Sequence, residues 1–391
     1  MSKVPVAVLN ADTGFDFTNY MDKKDKILAL TKNHTLGETV SYFLFSPDSP
    51  ASSLLDWQPI SPFITLDDLN TRLDHGDYWG YVYIPQNFSQ TLLLNTVNST
   101  SHLSPNSNGS MSVMFGYDQA RQQTVTALLA KLVVGTFTAI SQGLANEFIA
   151  FAEKSPNGYN DLLVSPKILD SFVTVYINNI HPINVYGQNF STYITGVVLW
   201  IGCLIITSVT FKYFEMGFNN IKKSYNDAGF ILRYQFYCNI FPFFLTFVAS
   251  GSVFLIITIL NRGTDFPGNH EPIYIFLFIW LSTIAYLQIN CFTATLVGYN
   301  NFGMIMSLFL ILQLATSAAI LDPIVMNSIT DITFALPMHH SVKGLRCLMM
   351  GSQCNYMGRD VGVLFAWAIG LWLIINMLLY RQILGRLEKS K

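Results

Sequence analysis

The chain has 391 residues, of which 51% are hydrophobic and only 12% charged, with a formal net charge of −2. Soluble proteins carry about a quarter charged residues, so this composition argues against a fold exposed to water on all sides. A net charge this close to zero also supplies no basic field for nucleic acid.

Residues 1–193 hold ordinary polar sequence with turn clusters such as Ser46-Pro47-Asp48-Ser49-Pro50 and no apolar run long enough to cross a bilayer. Val4 to Leu9 is a β-branched run that ends at Asn10-Ala11-Asp12-Thr13-Gly14, which predicts a buried strand leaving through a turn. A polar helix is expected over Gly37 to Phe45. Thr65 opens another, with Asp67 and Asp68 in its first turn, that runs to Leu73. Gly76-Asp77 turns the chain into an aromatic strand, Tyr78 to Ile84, closed by Pro85, and Asn87-Phe88-Ser89 begins a further helix. The Ser/Asn-rich stretch Asn95 to Ser112 reads as an exposed loop. Ser112 to Tyr117 is a strand, and Gln119 to Lys154 is one long, largely amphipathic helix. The order β-α-α-β-α-β-α predicts an α/β domain over residues 1–193.

Residues 194–391 differ in kind. Five apolar runs follow one another: Ile194 to Phe211, Phe236 to Leu260, Ile273 to Gly298, Phe302 to Leu321 and Val361 to Tyr380. None contains Lys, Arg, Asp or Glu, and each is long enough for a hydrocarbon core of about 30 Å. The expected fold is a membrane α-helical bundle joined to an extracytoplasmic α/β domain. Orientation follows from the positive charges in the connections. Lys212, Lys222, Lys223 and Arg233 lie between runs one and two, and Arg381, Arg386, Lys389 and Lys391 lie in the tail. The alternate connections hold fewer, Arg262 in one and Lys343, Arg346 and Arg359 in the other. The tail is therefore expected in the cytoplasm and residues 1–193 outside. Glycosylation sequons begin at Asn33, Asn87, Asn98, Asn108 and Asn189, all before the first run. Met1 to Asn10 supplies neither signal peptide nor anchor, so an additional span upstream of the outer domain is expected.

The stretches Val4-Pro5-Val6-Ala7-Val8-Leu9-Asn10-Ala11-Asp12 and Gly76-Asp77-Tyr78-Trp79-Gly80-Tyr81-Val82-Tyr83-Ile84-Pro85-Gln86-Asn87-Phe88-Ser89 resemble the outer domain of YhgE/Pip-type proteins and of fungal nitrosoguanidine-resistance membrane proteins (DUF3533), which belong with the ABC-2 type permeases. His181-Pro182-Ile183-Asn184 to Trp200 and Ala335-Leu336-Pro337-Met338-His339-His340 to Gly351 extend the resemblance. It implies six spans with the outer domain between the first and second, which leaves five spans here and the sixth, N-terminal one missing. It further implies a homodimer among membrane lipids and a separate ATPase subunit. That subunit would act on the connection Glu215 to Asp227, read as a short amphipathic helix or, blandly, as a solvated loop.

In the long outer connection Asp322 to Asp360, Pro337 suits a helix start. Met338, Val342, Leu345 and Met349 recur at helical spacing, with His339, His340, Lys343 and Arg346 on another face. Such a helix is expected to lie in the outer interface or dip into it. Cys347 and Cys354 share the oxidising side and are a candidate disulfide. Adjacent His339 and His340 diverge by about 100° on a helix and have no third ligand at metal spacing, so no metal is expected. Among the neutral polar groups inside the runs, Gln288, Asn290 and Gln313 form the candidate polar seam. There is no phosphate loop, no G-x-S-x-G, no H-E-x-x-H and no CxxC pair, so neither catalysis nor a cofactor is expected. Two functions remain: a permease-like subunit that moves lipids or hydrophobic toxicants across the plasma membrane, and a non-transporting membrane anchor whose outer domain binds a partner or surface component.

Overall fold

Val6, Ala7, Val8 and Leu9 are all buried, and a strand with no polar side needs a sheet covered on both faces. A computed structural model supplies one. It describes residues 3–16, 34–49, 51–91, 111–154, 172–183, 188–222, 227–260, 271–317 and 334–388. The chain divides into two compact units, Met1–Gln119 with Gln123–Pro182, and Ala120–Gln122 with Ile183–Lys391.

The first unit is a five-stranded sheet in the order β2-β1-β3-β4-β5. The strands are β1 (Val4–Asn10), β2 (Leu55–Ile60), β3 (Gly80–Ile84), β4 (Met111–Tyr117) and β5 (Val173–Asn179). β1 runs parallel to β2 and β3, β3 is antiparallel to β4, and β4 is parallel to β5. Side chains alternate between two cores, as the period of two requires. Val6, Val8, Val82, Ile84, Val113 and Phe115 face α1 (Leu36–Phe45) and α3 (Gln123–Lys154). Ala7, Leu9 and Tyr81 face Leu69 and Leu73 of α2 (Leu66–His75). α1 and α2 both start with a capping box, Thr35 with Glu38 and Thr65 with Asp68, and α2 stops at Gly76 in the left-handed conformation.

Two strands escape the sequence pattern, and they are the two edges. β2 carries Asp56, Gln58 and Pro59, and Pro is tolerated at an edge because half its backbone has no neighbour. β5 follows residues that the structure does not describe, and only Phe172 and Val173 at its start are fully covered.

In the second unit the long helices are α4 (Gln188–Lys222), α5 (Asp227–Leu260), α6 (Pro272–Val297), α7 (Tyr299–Thr316) and α9 (Met357–Glu388), with the shorter α8 (Pro337–Met350) before α9. Four segments here are long and apolar enough to cross a membrane: Phe190–Lys212, Cys238–Ile259, Pro272–Val297 and Cys354–Gln382. Among the described residues the fifth such helix is Thr124–Ala150 of α3, in the first unit; the end of the expected run Phe302 to Leu321 lies outside the described residues. The apolar part of α7 is Asn301–Ala315, about 22 Å long at 1.5 Å per residue. α3 meets the test by composition, yet Leu129, Val133, Phe137, Ile140, Leu144 and Phe148 form a stripe packed on the sheet. The central helix of the second unit is α6, 61% buried along its apolar stretch against 17% for α5 and for α9. Backbone in the expected cytoplasmic connection continues α4 as far as Lys222, so residues 215–222 extend that helix, while Asp227 begins α5.

Candidate functional site: a buried polar helix beside an apolar groove

α8 begins at Pro337, whose missing N–H costs nothing in a first turn, and ends at Gly351 in the left-handed conformation. Every residue in it except Lys343 is buried. α8 is thus an internal element of the second unit, packed on α4, α6, α7 and α9. Small residues let it in. A Cβ on Gly344 would fall onto the Phe278 ring of α6, and Gly196 of α4 faces Met338 and Val342.

The polar face of α8 finds its partners inside the protein. Gln313 Oε1 of α7 accepts a bond of 3.2 Å from the Met338 N–H, one of the orphan donors of the first turn. His340 Nδ1 lies 2.7 Å from Asp360 Oδ1 and Nε2 lies 2.8 Å from the Phe334 carbonyl. Both acceptors are satisfied together when both ring nitrogens carry protons, the arrangement of an imidazolium against a carboxylate. Arg346 donates to the Arg121 carbonyl at 2.7 Å. His339 differs: neither ring nitrogen has a hydrogen-bond partner, and the ring packs edge-on against Phe334 and His340. Burial, then the charges of His340, Lys343, Arg359 and Arg346, push its pKa down to about 3.

Cys347 and Cys354 are joined in a disulfide, with Cα atoms 4.8 Å apart. A helix continuing past Met350 would have separated them. Gly351 and Gln353, both in the left-handed region, instead return the chain so that the turn Cys354–Tyr356 doubles back. Lys343 Nζ then sits 3.9 Å from the Tyr356 ring centroid, and the Arg359 guanidinium carbon 4.7 Å from the same centroid.

The three residues of the candidate polar seam have separate places. Gln288 borders a cavity, Asn290 is fully buried with its amide donating to Tyr286 O at 2.8 Å, and Gln313 holds the start of α8. Two residues apart on a helix means about 200°, so Gln288 and Asn290 cannot share a face. Other polar groups tie α6 to its neighbours. Ser250 of α5 donates to Thr283 Oγ1 at 2.8 Å, the Cys203 thiol of α4 donates to the Thr283 carbonyl at 3.3 Å, and Thr207 meets Cys291 at 3.7 Å. A further tie joins α5 to α9: Asn239 donates to Asn376 Oδ1 at 2.8 Å and accepts from Trp372 Nε1 at 3.0 Å. Single Asn residues in two otherwise apolar helices were the available signal for that pairing.

Between α5, α6 and α9 lies an apolar groove of about 890 Å³. α6 contributes Tyr274, Leu277, Leu281, Ile284 and Gln288, while α9 contributes Met357, Val361, Phe365, Ala368 and Trp372. Both sets recur every three to four residues, so each is one helix face. Phe243 comes from α5 and Leu348 from α8. The groove thus runs from the disulfide turn to the Asn239-Asn376-Trp372 tie.

The first unit holds two polar clusters of its own. Asp12 receives bonds from the N–H groups of Gly14, Gly37 and Ser89 and from the Ser89 hydroxyl, which joins the end of β1 to the start of α1. At the opposite end of the strands Asp74, Asp118 and His181 bring one ligand atom each within 4.8 Å of one another. Sequence spacing does not show this group, because Asp74 lies in the last turn of α2 while Asp118 and His181 follow β4 and β5, and they meet only through the fold. Burial pulls the His181 pKa down, but its bond to Asp118 and the charges of Asp118 and Asp74 outweigh this and raise it. Of the sequons, Asn87 is exposed and Asn189 lies in the first turn of α4, while Asn33, Asn98 and Asn108 lie outside the described residues.

The family model described as "Protein of unknown function (DUF3533)" matches residues 1–373. The chain belongs to the DUF3533 family. A similar protein is "Uncharacterized protein YhgE" of Bacillus subtilis (strain 168), 26% identical over 212 residues. That alignment covers 54% of this DUF3533 chain and 25% of the relative. No solved structure matches the chain.

Proposed function

We propose that this DUF3533 protein is an ABC-2 type permease-like membrane subunit that moves or redistributes lipids or hydrophobic toxicants across the plasma membrane. It works as a homodimer with a separate ATPase subunit, without enzymatic chemistry of its own, with the α/β unit outside and the tail in the cytoplasm. The observation that carries the reading is the groove of about 890 Å³, apolar along its length, within a unit whose helices are long enough to span a bilayer. Such a volume falls in the range of ligand pockets, about 300–1,000 Å³. A second reading, a non-transporting anchor, draws on the separate core of the α/β unit, which folds around its own sheet.

Uptake and efflux of a fluorescent phospholipid and a hydrophobic dye, in cells lacking or overexpressing the full-length gene, separate the two. The permease reading expects flux to change with expression and Ala368→Phe, which fills the groove, to abolish the change. Gln288→Leu should alter flux more than Asn290→Leu, because only Gln288 borders the groove. Unaltered flux together with retained surface binding by the protein would establish the anchor.

A further inference from the structure

Strand pairing in the first unit carries three ligand-type side chains to one end of the sheet. Asp118 follows β4, His181 follows β5, and Asp74 lies in the last turn of α2. Tyr117 and Asn179 are partners in the β4–β5 ladder, and the pairing continues beyond them. The Ile180 N–H donates to the Tyr117 carbonyl at 3.1 Å, and the Asn179 amide donates to Gln119 Oε1 at 2.7 Å. The backbone that carries Asp118 and His181 is therefore fixed by the sheet itself. The Asp118 side chain is 1% exposed and that of His181 22%. Nδ1 of His181 is shut off from solvent and has no well-directed hydrogen-bond partner, although Asp118 Oδ1 stands 3.2 Å away. That separation is long for a charge-assisted bond, about 2.7–2.9 Å, but it suits two ligands held about 2.1 Å from a common ion at an angle near 100°. All three ligand atoms lie within 4.8 Å of one another. Ligands on opposite sides of an ion, with bonds of about 2.0–2.2 Å, are at most about 4.4 Å apart, so closure asks for no more than roughly half an ångström. Asp74, only half-buried, has room to supply it. Both carboxylates have interactions elsewhere as well. That is the ordinary condition of a ligating carboxylate, which has several lone pairs to share and is oriented by its neighbours.

We propose that Asp74, Asp118 and His181 form a binding site for a divalent transition-metal cation, with Zn²⁺ as the matching ion. The imidazole selects against Ca²⁺ and Mg²⁺, which take oxygen ligands. Two carboxylates neutralise the charge of the ion, and for the same donors Zn²⁺ stands above Mn²⁺ in the affinity order. Three protein ligands leave the remaining coordination to water. The bound ion joins the end of α2 to the ends of β4 and β5, elements that sequence separation keeps apart. The site belongs wholly to the α/β unit, so it does not depend on whether the helical unit transports.

The test uses the full-length protein in detergent, dialysed against a chelator and then titrated with Zn²⁺. Zn²⁺ should remain bound through gel filtration, and hydrogen exchange should slow around Asp74, Asp118 and His181 while α8 is unchanged. Mn²⁺ should bind more weakly than Zn²⁺, and Mg²⁺ and Ca²⁺ should give no protection. Loss of a partner that only orients a ligand already costs about 10–100-fold in affinity, so Asp74→Asn and His181→Gln should each weaken Zn²⁺ binding by at least about tenfold. His75→Gln, in the same turn of α2 but outside the group, should leave binding unchanged. Asp74 is half-buried, so Asp74→Asn decides the question even where His181→Gln disturbs the fold. Absence of Zn²⁺ binding by the unaltered protein overturns the inference and leaves His181 ion-paired to the carboxylates. Binding that Asp74→Asn does not weaken, or protection by Mg²⁺ equal to that by Zn²⁺, overturns it as well.

Discussion

His181 in the α/β unit and His339 in the helical unit are both largely shielded from water, yet their protons are held with opposite strength. His181 faces Asp118 and Asp74, and its pKa rises despite burial. His339 faces Lys343, Arg346, Arg359 and His340 without any acceptor, and its pKa falls to about 3. The contrast reflects how each unit treats polar groups. The sheet gathers them at the two ends of its strands, where Asp12 ties one end and Asp74, Asp118 and His181 meet at the other. The helical unit carries them to its centre on α8 and satisfies most of them there.

The largest expected effect tests that central placement. Asp360→Asn or His340→Ala leaves a buried charge without its partner, which costs about 3–5 kcal/mol. Thermal unfolding should show the loss, and hydrogen exchange should localise it to residues 337–360. The double substitution His340→Phe with Asp360→Leu should recover much of it. Single substitutions as mild as the double would mean that the pair is not charged.

Asp12→Ala is the counterpart in the α/β unit. It removes the acceptor for three backbone N–H groups and one hydroxyl, and about 3 kcal/mol should be lost. Exchange should rise at α1 and the end of β1 and stay unchanged in α8, whereas a rise in α8 would show that the two units are not energetically separate.

Cys347→Ser should cost about 2 kcal/mol, since a short loop yields a modest entropic gain. Alkylation with and without reductant should report two protected thiols in the unaltered chain.

The pH response needs no substitution to appear, and in it the two histidines should pull in opposite directions. His339 has a folded pKa below its unfolded value, so its contribution is complete above about pH 6.5 and is lost as pH falls towards 3, at about 1.4 kcal/mol per pH unit. His181 has a raised folded pKa, so its contribution is present below the unfolded value and is lost as pH rises through the folded one. Between pH 7 and pH 5, His339→Leu should therefore flatten the loss of stability in the helical unit, while His181→Gln should remove a gain in the α/β unit. Responses of the same sign would contradict the contrast.

Much of this architecture was legible in local patterns. β1, β3 and β4 follow from β-branched or aromatic runs, and α1 and α2 from Thr caps with an acid three residues on. α8 starts at the expected proline and spans the expected residues. Its burial was not legible, because an amphipathic pattern has the same appearance whether the polar face meets water or buried acceptors. Those acceptors are remote: the Arg121 carbonyl is 225 residues from Arg346, and Asp360 is 20 from His340. The edge strand β2 was missed for a related reason: Leu55 to Gln58 alternate for only four residues before Pro59, and the pairing that makes them a strand is provided by β1.

Hydrophobic composition and run length by themselves determined that this chain has a membrane-type half and a polar α/β half, because the removal of apolar surface from water depends on residue content more than on partners. Which polar residues meet was decided only by tertiary structure. Gln288 and Asn290 part to opposite sides of α6, while Asn239 and Asn376, 137 residues apart, close one end of a groove. Hydrogen bonds are directional and short, so their partners are set by where helices cross and not by which residues the helices contain.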